Sequence, residues 1–348
     1  MINNVFERLN NAPYHGEDAF KELEGLVNEK LSIKDISKEE KERLDYELLL
    51  IKKWGIAKHF LFGKLLVEAT TEEYKERGNT QYCETGTLWW EGYSYVNFLL
   101  GLSPVNPVIY NLPFESCFNE YKNNLPTHQL FIPSLSKDQV LNRLYKEFGK
   151  NNFVKSKDSF TTLYHYSSKP IKKEFIKKTI NLEEFGYESC EENVSTLTTT
   201  ELSELGYYSF EILEGYNFYD YVNTTFSEEE IYERYKIESD EDLVSSKKPF
   251  DKMAEVNEIL KYTENKLVYQ EQVLEILNKL CGVDMAKADF YRLEMRNLEP
   301  SQHVKYLETL LTEKYGEDGK ALFDYLHTYS NSTMGRIALI AYLHKPVW

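Results

Sequence analysis

The stretch NLPFESCFNEYKNNLPTHQLFIPSLSKDQVLNRLYKEFGKNNF, residues 111–153, decides how the middle of this chain is read. Its acids include Glu115, Glu120 and Asp138, which turns and a proline hold apart, so they read as surface carboxylates rather than as a cluster. His128 stands among them as a single imidazole, a poor ligand set for Mg²⁺. Upstream, short apolar runs such as YSYVNFLLGL (93–102) alternate with the Pro and Asn cluster SPVNPVIYNLP (103–113), which suits an α/β layer with long connections.

On either side of this middle region, 79–225, the pattern turns helical. In residues 1–78, SKEEKERLDYELLLIKKWG (37–55) opens on Ser37 as an N-cap with Glu40 three residues later, carries Leu44, Leu48 and Ile51 at helical spacing, and stops at Gly55. In residues 226–348, EVNEILKYTENKLVYQEQVLEILNKLCG (255–282) and HVKYLETLLTEKYGEDGKALFDYLHTYS (303–330) are periodic and amphipathic. The best linker is ESDEDLVSSKKPFD, 238–251, and no internal repeat is present. The expected fold is therefore α/β with large helical parts.

With 348 residues, 42% of them apolar and 14% aromatic, the chain can bury a sizeable core in two or three domains. No window approaches eighteen consecutive apolar residues, and MINNVFERLNNAP has neither the basic nor the apolar part of a secretion signal, so the expectation is a cytoplasmic protein with no membrane span. Cys83, Cys117, Cys190 and Cys281 form no CxxC or CxxH pattern, which argues against structural zinc and a disulfide framework.

The net charge of −16 is unevenly spread. Residues 181–250 hold eighteen acids against four basic residues, a local charge of −14, whereas residues 131–180 hold eleven basic residues against four acids, a local charge of +7. The basic block, in KEFGKNNFVKSK (146–157) and KPIKKEFIKK (169–178), offers Lys150, Lys155, Lys157, Lys172, Lys173, Lys177 and Lys178 as phosphate contacts for weak, sequence-independent DNA binding, or else is a solvated face.

Three runs, taken in order, resemble the polymerase core of the bacterial C-family replicative DNA polymerases, the alpha subunit of DNA polymerase III. They are RLDYELLLIKKWGIAKHFL (43–61), EGYSYVNFLLGLSPVNPVIYNLPFESCFNE (91–120) and LVYQEQVLEILNKLCGVDMAKADFYRLEM (267–295); the ending YSNSTMGRIALIAYLHKPVW (329–348) is similar to the family's final fingers helix. The resemblance implies a nucleotidyltransferase-type palm with helical N-terminal and fingers regions and a reduced thumb. It also implies a core without the attachments that usually precede and follow it.

It further implies that the chemistry has been lost. Where the family's palm carries a Pro-Asp-x-Asp-x-Asp pattern, this chain has Thr127, Gln129 and Phe131. A further family aspartate, in a short segment ending Leu-Gly, corresponds to Ser203 in TELSELGY, with Glu204 beside it. Two-metal nucleotidyl transfer needs clustered carboxylates around two Mg²⁺ ions about 3.5–4 Å apart, and an amide and a phenyl ring do not supply them. The triphosphate turn is altered too: GTLWWEGYSYV (86–96) puts Leu88, Trp89, Trp90 and Glu91 where an Arg-Gly-Ser-type sequence belongs, leaving Gly92 and Ser94 as remnants of the pocket. In the fingers Arg292 remains, but Leu293, Asn297 and Leu298 stand where basic residues for the nucleotide are expected.

The expectation is a catalytically inactive relative with no cofactor, Mg²⁺ being required only if it is active. It would act by binding DNA or a replisome protein, and a phage or other mobile element is a natural source. The alternatives are an active or split polymerase completed by a partner chain, and an acidic DNA-mimic decoy built on residues 181–250.

Overall fold

The computed structural model describes residues 5–76, 91–122, 127–132, 137–158, 163–177, 193–214, 225–238, 253–297 and 301–343. The chain divides into two compact units, one formed by Met1–Val108 with Asn123–Tyr221, the other by Ile109–Lys122 with Val222–Trp348. The helical N-terminal region and the middle region thus fold together, and a short excursion, 109–122, leaves the middle region for the second unit.

The first unit begins with helices α1 (Val5–Leu9), α2 (Ala19–Leu31), α3 (Lys38–Trp54) and α4 (Ala57–Glu76). α3 starts and stops where its sequence demands. Ser37 Oγ accepts from Glu40 N while Glu40 Oε2 accepts from Ser37 N at 2.7 Å, and Gly55 closes the helix in the left-handed conformation, φ 67°. A single 3₁₀ turn, Glu91–Tyr93, leads into the short helix α5 (Tyr95–Leu100), capped by Ser94.

A mixed sheet follows: β1 (His128–Ile132), α6 (Lys137–Phe148), β2 (Phe153–Lys155), β3 (Leu163–Tyr166), β4 (Ile176–Lys177), β5 (Val194–Ser195), α7 (Thr199–Glu204) and β6 (Tyr208–Glu214). The strand order is β1-β6-β3-β2-β5-β4, with β1 and β6 parallel and β6, β3 and β2 successively antiparallel. Period-two alternation assigns the faces. His128, Leu130 and Ile132 of β1 and Tyr208, Phe210 and Ile212 of β6 are buried, whereas Gln129, Ser209, Glu211 and Leu213 are half-buried on the opposite face. The buried face packs on Phe62 of α4, whose ring meets Tyr208 and Phe210 edge-on at 5.5 and 5.2 Å. Gly63 permits this approach, because a Cβ there would lie 2.6 Å from His128 Cε1.

The second unit is helical: α8 (Glu228–Glu238), α9 (Ala254–Leu260), α10 (Gln270–Cys281), α11 (Met285–Glu294), α12 (Gln302–Tyr329) and α13 (Arg336–Leu343). Its core is aliphatic, with Val273, Leu274, Leu277, Leu307, Leu311 and Leu326 at its centre. The amphipathic run 255–282 is not one helix. Glu264 and Asn265 adopt positive φ, 54° and 62°, and the chain then forms a parallel bridge, Tyr269 to Met334, before α10 begins. α12 is likewise interrupted at Gly316, φ 61° and ψ −137°. Most of the proposed linker, 239–250, lies outside the described residues. No helix among the described residues is long and apolar enough to cross a membrane.

Candidate functional site

The half-buried sheet face of the first unit carries the positions where carboxylates are expected. β1 brings Gln129 directly opposite Glu211 of β6, and Gln129 Nε2 donates to Glu211 Oε2 at 2.7 Å. Thr127 sits half-buried just before the strand, and the backbone of β1 holds Phe131 two residues past Gln129. On the next strand, β3, His165 stands opposite Ser209, with its Nδ1 2.9 Å from the serine hydroxyl. Burial holds the His165 pKa down at about 4, against a smaller opposing influence from Asp158.

Ser203 is not part of this face. It belongs to α7, whose first turn is a capping box between Thr198 and Glu201 and whose Leu202 is buried, so TELSELGY is a helix and its end rather than a strand. The residue that register places beside Gln129 is Glu211, in YSFEILE, which the sequence reading missed. The available signal was an acid within an alternating apolar strand pattern; the partner strand was what could not be read. Glu115 and Glu120 belong to the second unit, and Asp138 is exposed in the first turn of α6. Among the described residues no group of three or more His, Cys, Asp or Glu side chains is placed to hold a metal ion. One carboxylate with an amide bonded to it does not fit a pair of Mg²⁺ ions.

Beneath the sheet lies a buried polar chain. His128 Nδ1 shares a hydrogen bond with Glu91 Oε1 at 2.6 Å and its Nε2 donates to the His59 carbonyl at 2.8 Å; the two imidazoles stack at 3.9 Å, and His59 Nδ1 lies 2.8 Å from the Tyr208 hydroxyl. Burial, then His128, pushes the His59 pKa well below its ordinary value, and burial, then Glu91, pushes Tyr208 well above. Both nitrogens of His128 are occupied, so it is a core residue and not a ligand.

The turn that leads into α5 is similarly closed on itself. Gly92 is buried in the 3₁₀ turn, and the Ser94 hydroxyl donates to Glu47 Oε2 at 2.7 Å. The same Glu47 carboxylate accepts the Tyr95 and Val96 amides at 2.8 and 3.1 Å and Arg43 Nε at 2.6 Å. The first amides of α5 therefore already hold an anion, one supplied by α3. Leu88, Trp89 and Trp90 lie outside the described residues.

In the second unit Arg292 is buried on α11. Asp289 holds it, with Nε and Nη2 at 2.9 and 2.8 Å from Oδ1, and Lys122 Nζ reaches Oδ2 of the same acid at 2.8 Å. The residue is 5% exposed and forms a buried ion pair with Asp289. Leu293 is half-buried, Asn297 is exposed, and Leu298 lies outside the described residues.

The basic block is smaller than its composition suggests. Lys155 is a correction: it lies in β2, all three residues of which are buried, and its ammonium lies 5.0 Å from the Tyr164 ring centroid. Lys150 and Lys173 are exposed, Lys157 pairs with Glu201 and Lys172 with Glu174, both at 3.7 Å on the surface. Lys177 is held by the backbone of β4, and Lys178 lies outside the described residues.

Comparison with known proteins identifies the family of this fold. Residues 20–203 match the family model of the bacterial DNA polymerase III alpha NTPase domain, and residues 222–317 match that of the bacterial DNA polymerase III alpha subunit finger domain. The first match alone spans more than half of the chain, which belongs to the bacterial DNA polymerase III alpha family. β6, with Glu211, falls between the two matched stretches. The chain is 28% identical over 110 residues to the DNA polymerase III subunit alpha of Mycoplasma genitalium, covering 32% of this chain and 12% of that protein. It is 27% identical over 124 residues to the error-prone DNA polymerase of Cutibacterium acnes, covering 35% and 10%, and 25% identical over 139 residues to the DNA polymerase III subunit alpha of Buchnera aphidicola, covering 39% and 11%. The matched stretches span about a tenth of each of these relatives.

Proposed function

We propose that this chain is a catalytically silent member of its family, a nucleotidyltransferase-type palm and fingers that work by binding rather than by nucleotidyl transfer. The observation that carries the reading is the 2.7 Å hydrogen bond from Gln129 to Glu211. A neutral amide occupies the place of a metal-binding carboxylate and uses an oxygen of the one acid opposite it. Two-metal transfer requires several carboxylates to share two divalent ions, and among the described residues no group of three or more acids, histidines or cysteines is placed to hold one. The Glu47 carboxylate at the start of α5 supports the same conclusion, since it satisfies internally amides that would otherwise meet a triphosphate, and the Asp289 carboxylate holds Nε and Nη2 of Arg292 in the core.

The partner is DNA or a replication protein. For DNA, the exposed Lys150, Lys157, Lys172 and Lys173 give a modest phosphate-facing set, so binding is weak, independent of sequence and lost steeply between about 50 and 200 mM salt as counterion release weakens.

Primer extension tests the silence. With Mg²⁺ or Mn²⁺, the purified chain incorporates no labelled nucleotide. Template-dependent incorporation that disappears in Glu211→Gln would mean that Glu211 serves a working metal site, and would overturn the reading.

A further inference from the structure

The outer side of α3 carries a stripe that the first unit does not cover. Leu44, Glu47 and Ile51 turn the opposite side of the helix into the core, which leaves Glu42, Tyr46, Leu49 and Lys53 in line and exposed, at steps of four, three and four residues. Leu49 is 64% exposed and Tyr46 41% exposed. These steps are those of the seam along which two helices pack knobs into holes. The macrodipole explains acids early in a helix and lysines late in it. It gives no reason for a leucine and a tyrosine set between them in water.

The order of these four side chains is its own complement. Turned end for end about a two-fold axis between Tyr46 and Leu49, the stripe sets Glu42 opposite Lys53 of a second copy and Tyr46 opposite its Leu49, and the reverse. The same turn brings Asp45 towards Lys52, the two exposed charges on one flank of the stripe. A parallel pairing would set acid against acid and lysine against lysine. The partners these charges have within the chain are weak ones. Glu42 pairs with Lys38 at 3.6 Å and Asp45 with Lys41 at 2.7 Å, both exposed pairs one turn apart; Lys52 lies 5.0 Å from the Phe20 ring centroid, and Lys53 makes no ion pair among the described residues. A polyanion would be repelled by Glu42 and Asp45, and a helix of one charge sign would match one end of the stripe only.

We infer that α3 is the surface through which two copies of this chain associate, antiparallel, with Tyr46 and Leu49 at the centre and a Glu42–Lys53 ion pair at either end. A single helix stripe falls short of the roughly 1,200–2,000 Å² that stable interfaces bury, so the dimer is weak and reversible, with Kd between about 10 μM and 1 mM. It stands whether or not the chain catalyses nucleotidyl transfer.

Sedimentation equilibrium of the full chain tests this, over loading concentrations of about 10–500 μM that span the expected Kd and at about 50 mM salt, where surface charges are little screened. Wild type follows a monomer–dimer equilibrium. Leu49→Lys, felt twice because the axis repeats it, weakens association at least about tenfold. Glu42→Lys sets lysine against lysine at both ends, and Lys53→Glu sets acid against acid, so each variant alone also associates at least about tenfold more weakly. An equimolar mixture of those two restores both ion pairs and forms a heterodimer of near wild-type affinity. All three positions are exposed, and circular dichroism confirms that each variant keeps the wild-type helix content. A wild-type chain that stays monomeric throughout overturns the inference. So does a dimer undiminished in Leu49→Lys, or a mixture of the two charge variants that associates no better than either alone.

Discussion

His165 provides the sharpest physical test of the first unit. It lies fully buried on β3, its Nδ1 bonded to Ser209 of β6 and its Nε2 buried without a partner. The opposite position on β2 is Val154, which offers no charge, and the one acid that acts on it, Asp158, opposes burial only weakly. An imidazolium here would have an unbonded N–H in the core, and the pKa falls from 6.5 to about 4. A folded pKa below the unfolded value means that the unfolded chain takes up a proton first as the pH falls. The stability from keeping this ring neutral is therefore complete above about pH 6.5, is lost progressively between 6.5 and about 4, and changes no further below that. At 1.36 kcal/mol for each tenfold change, the full window is worth about 3 kcal/mol. An NMR titration of the His165 Cε1 proton, assigned by its loss in His165→Gln, gives a midpoint near 4. Urea unfolding at pH 7.5 and pH 4.5 then shows wild type losing about 2–3 kcal/mol more than His165→Gln on acidification. His59, pushed the same way by burial, contributes equally to both proteins and cancels from that difference. If His165 titrates near 6.5, or if wild type and His165→Gln lose stability in parallel, the account of its burial is wrong.

The other expectations are structural. Glu47→Gln should cost about 3–5 kcal/mol in urea unfolding, because it removes a buried charge that bonds Arg43, Ser94 and two amides and aims an NH₂ at some of those donors; Asp45→Asn, on the exposed side of the same helix, should change stability by less than about 1 kcal/mol. Gly316→Ala should destabilise by about 1–3 kcal/mol, since an L side chain at φ 61°, ψ −137° is strained, whereas Gly25→Ala, in α2 with nothing within 4 Å of the new methyl, should stabilise by about 0.5–1 kcal/mol. Equal midpoints for Gly316→Ala and wild type would show that α12 straightens at no cost.

Much of this molecule is written locally. The capping box at Ser37 and Glu40, the stop at Gly55 and the helical periodicity of the second unit's sequence depend on residues within a turn or two of each other, and each was legible in the chain. The interruptions at Glu264–Asn265 and Gly316 were not, because an amphipathic pattern continues across a kink whenever the same face stays in the core. The half-buried sheet face was the least legible. Gln129 and Glu211 are 82 residues apart, and alternation says which side of its own strand a residue faces without saying which strand lies beside it. Hence TELSELGY drew attention to Ser203, which lies in α7, and register is what sets Glu211 beside Gln129. Charge was misleading for the same reason: a lysine counts as positive wherever it lies, and only packing could turn Lys155 toward Tyr164 and close Arg292 onto Asp289. Sequence determined which groups the chain possesses and which helices it forms; the pairing of distant strands, and the burial that follows from it, decided which of those groups meet.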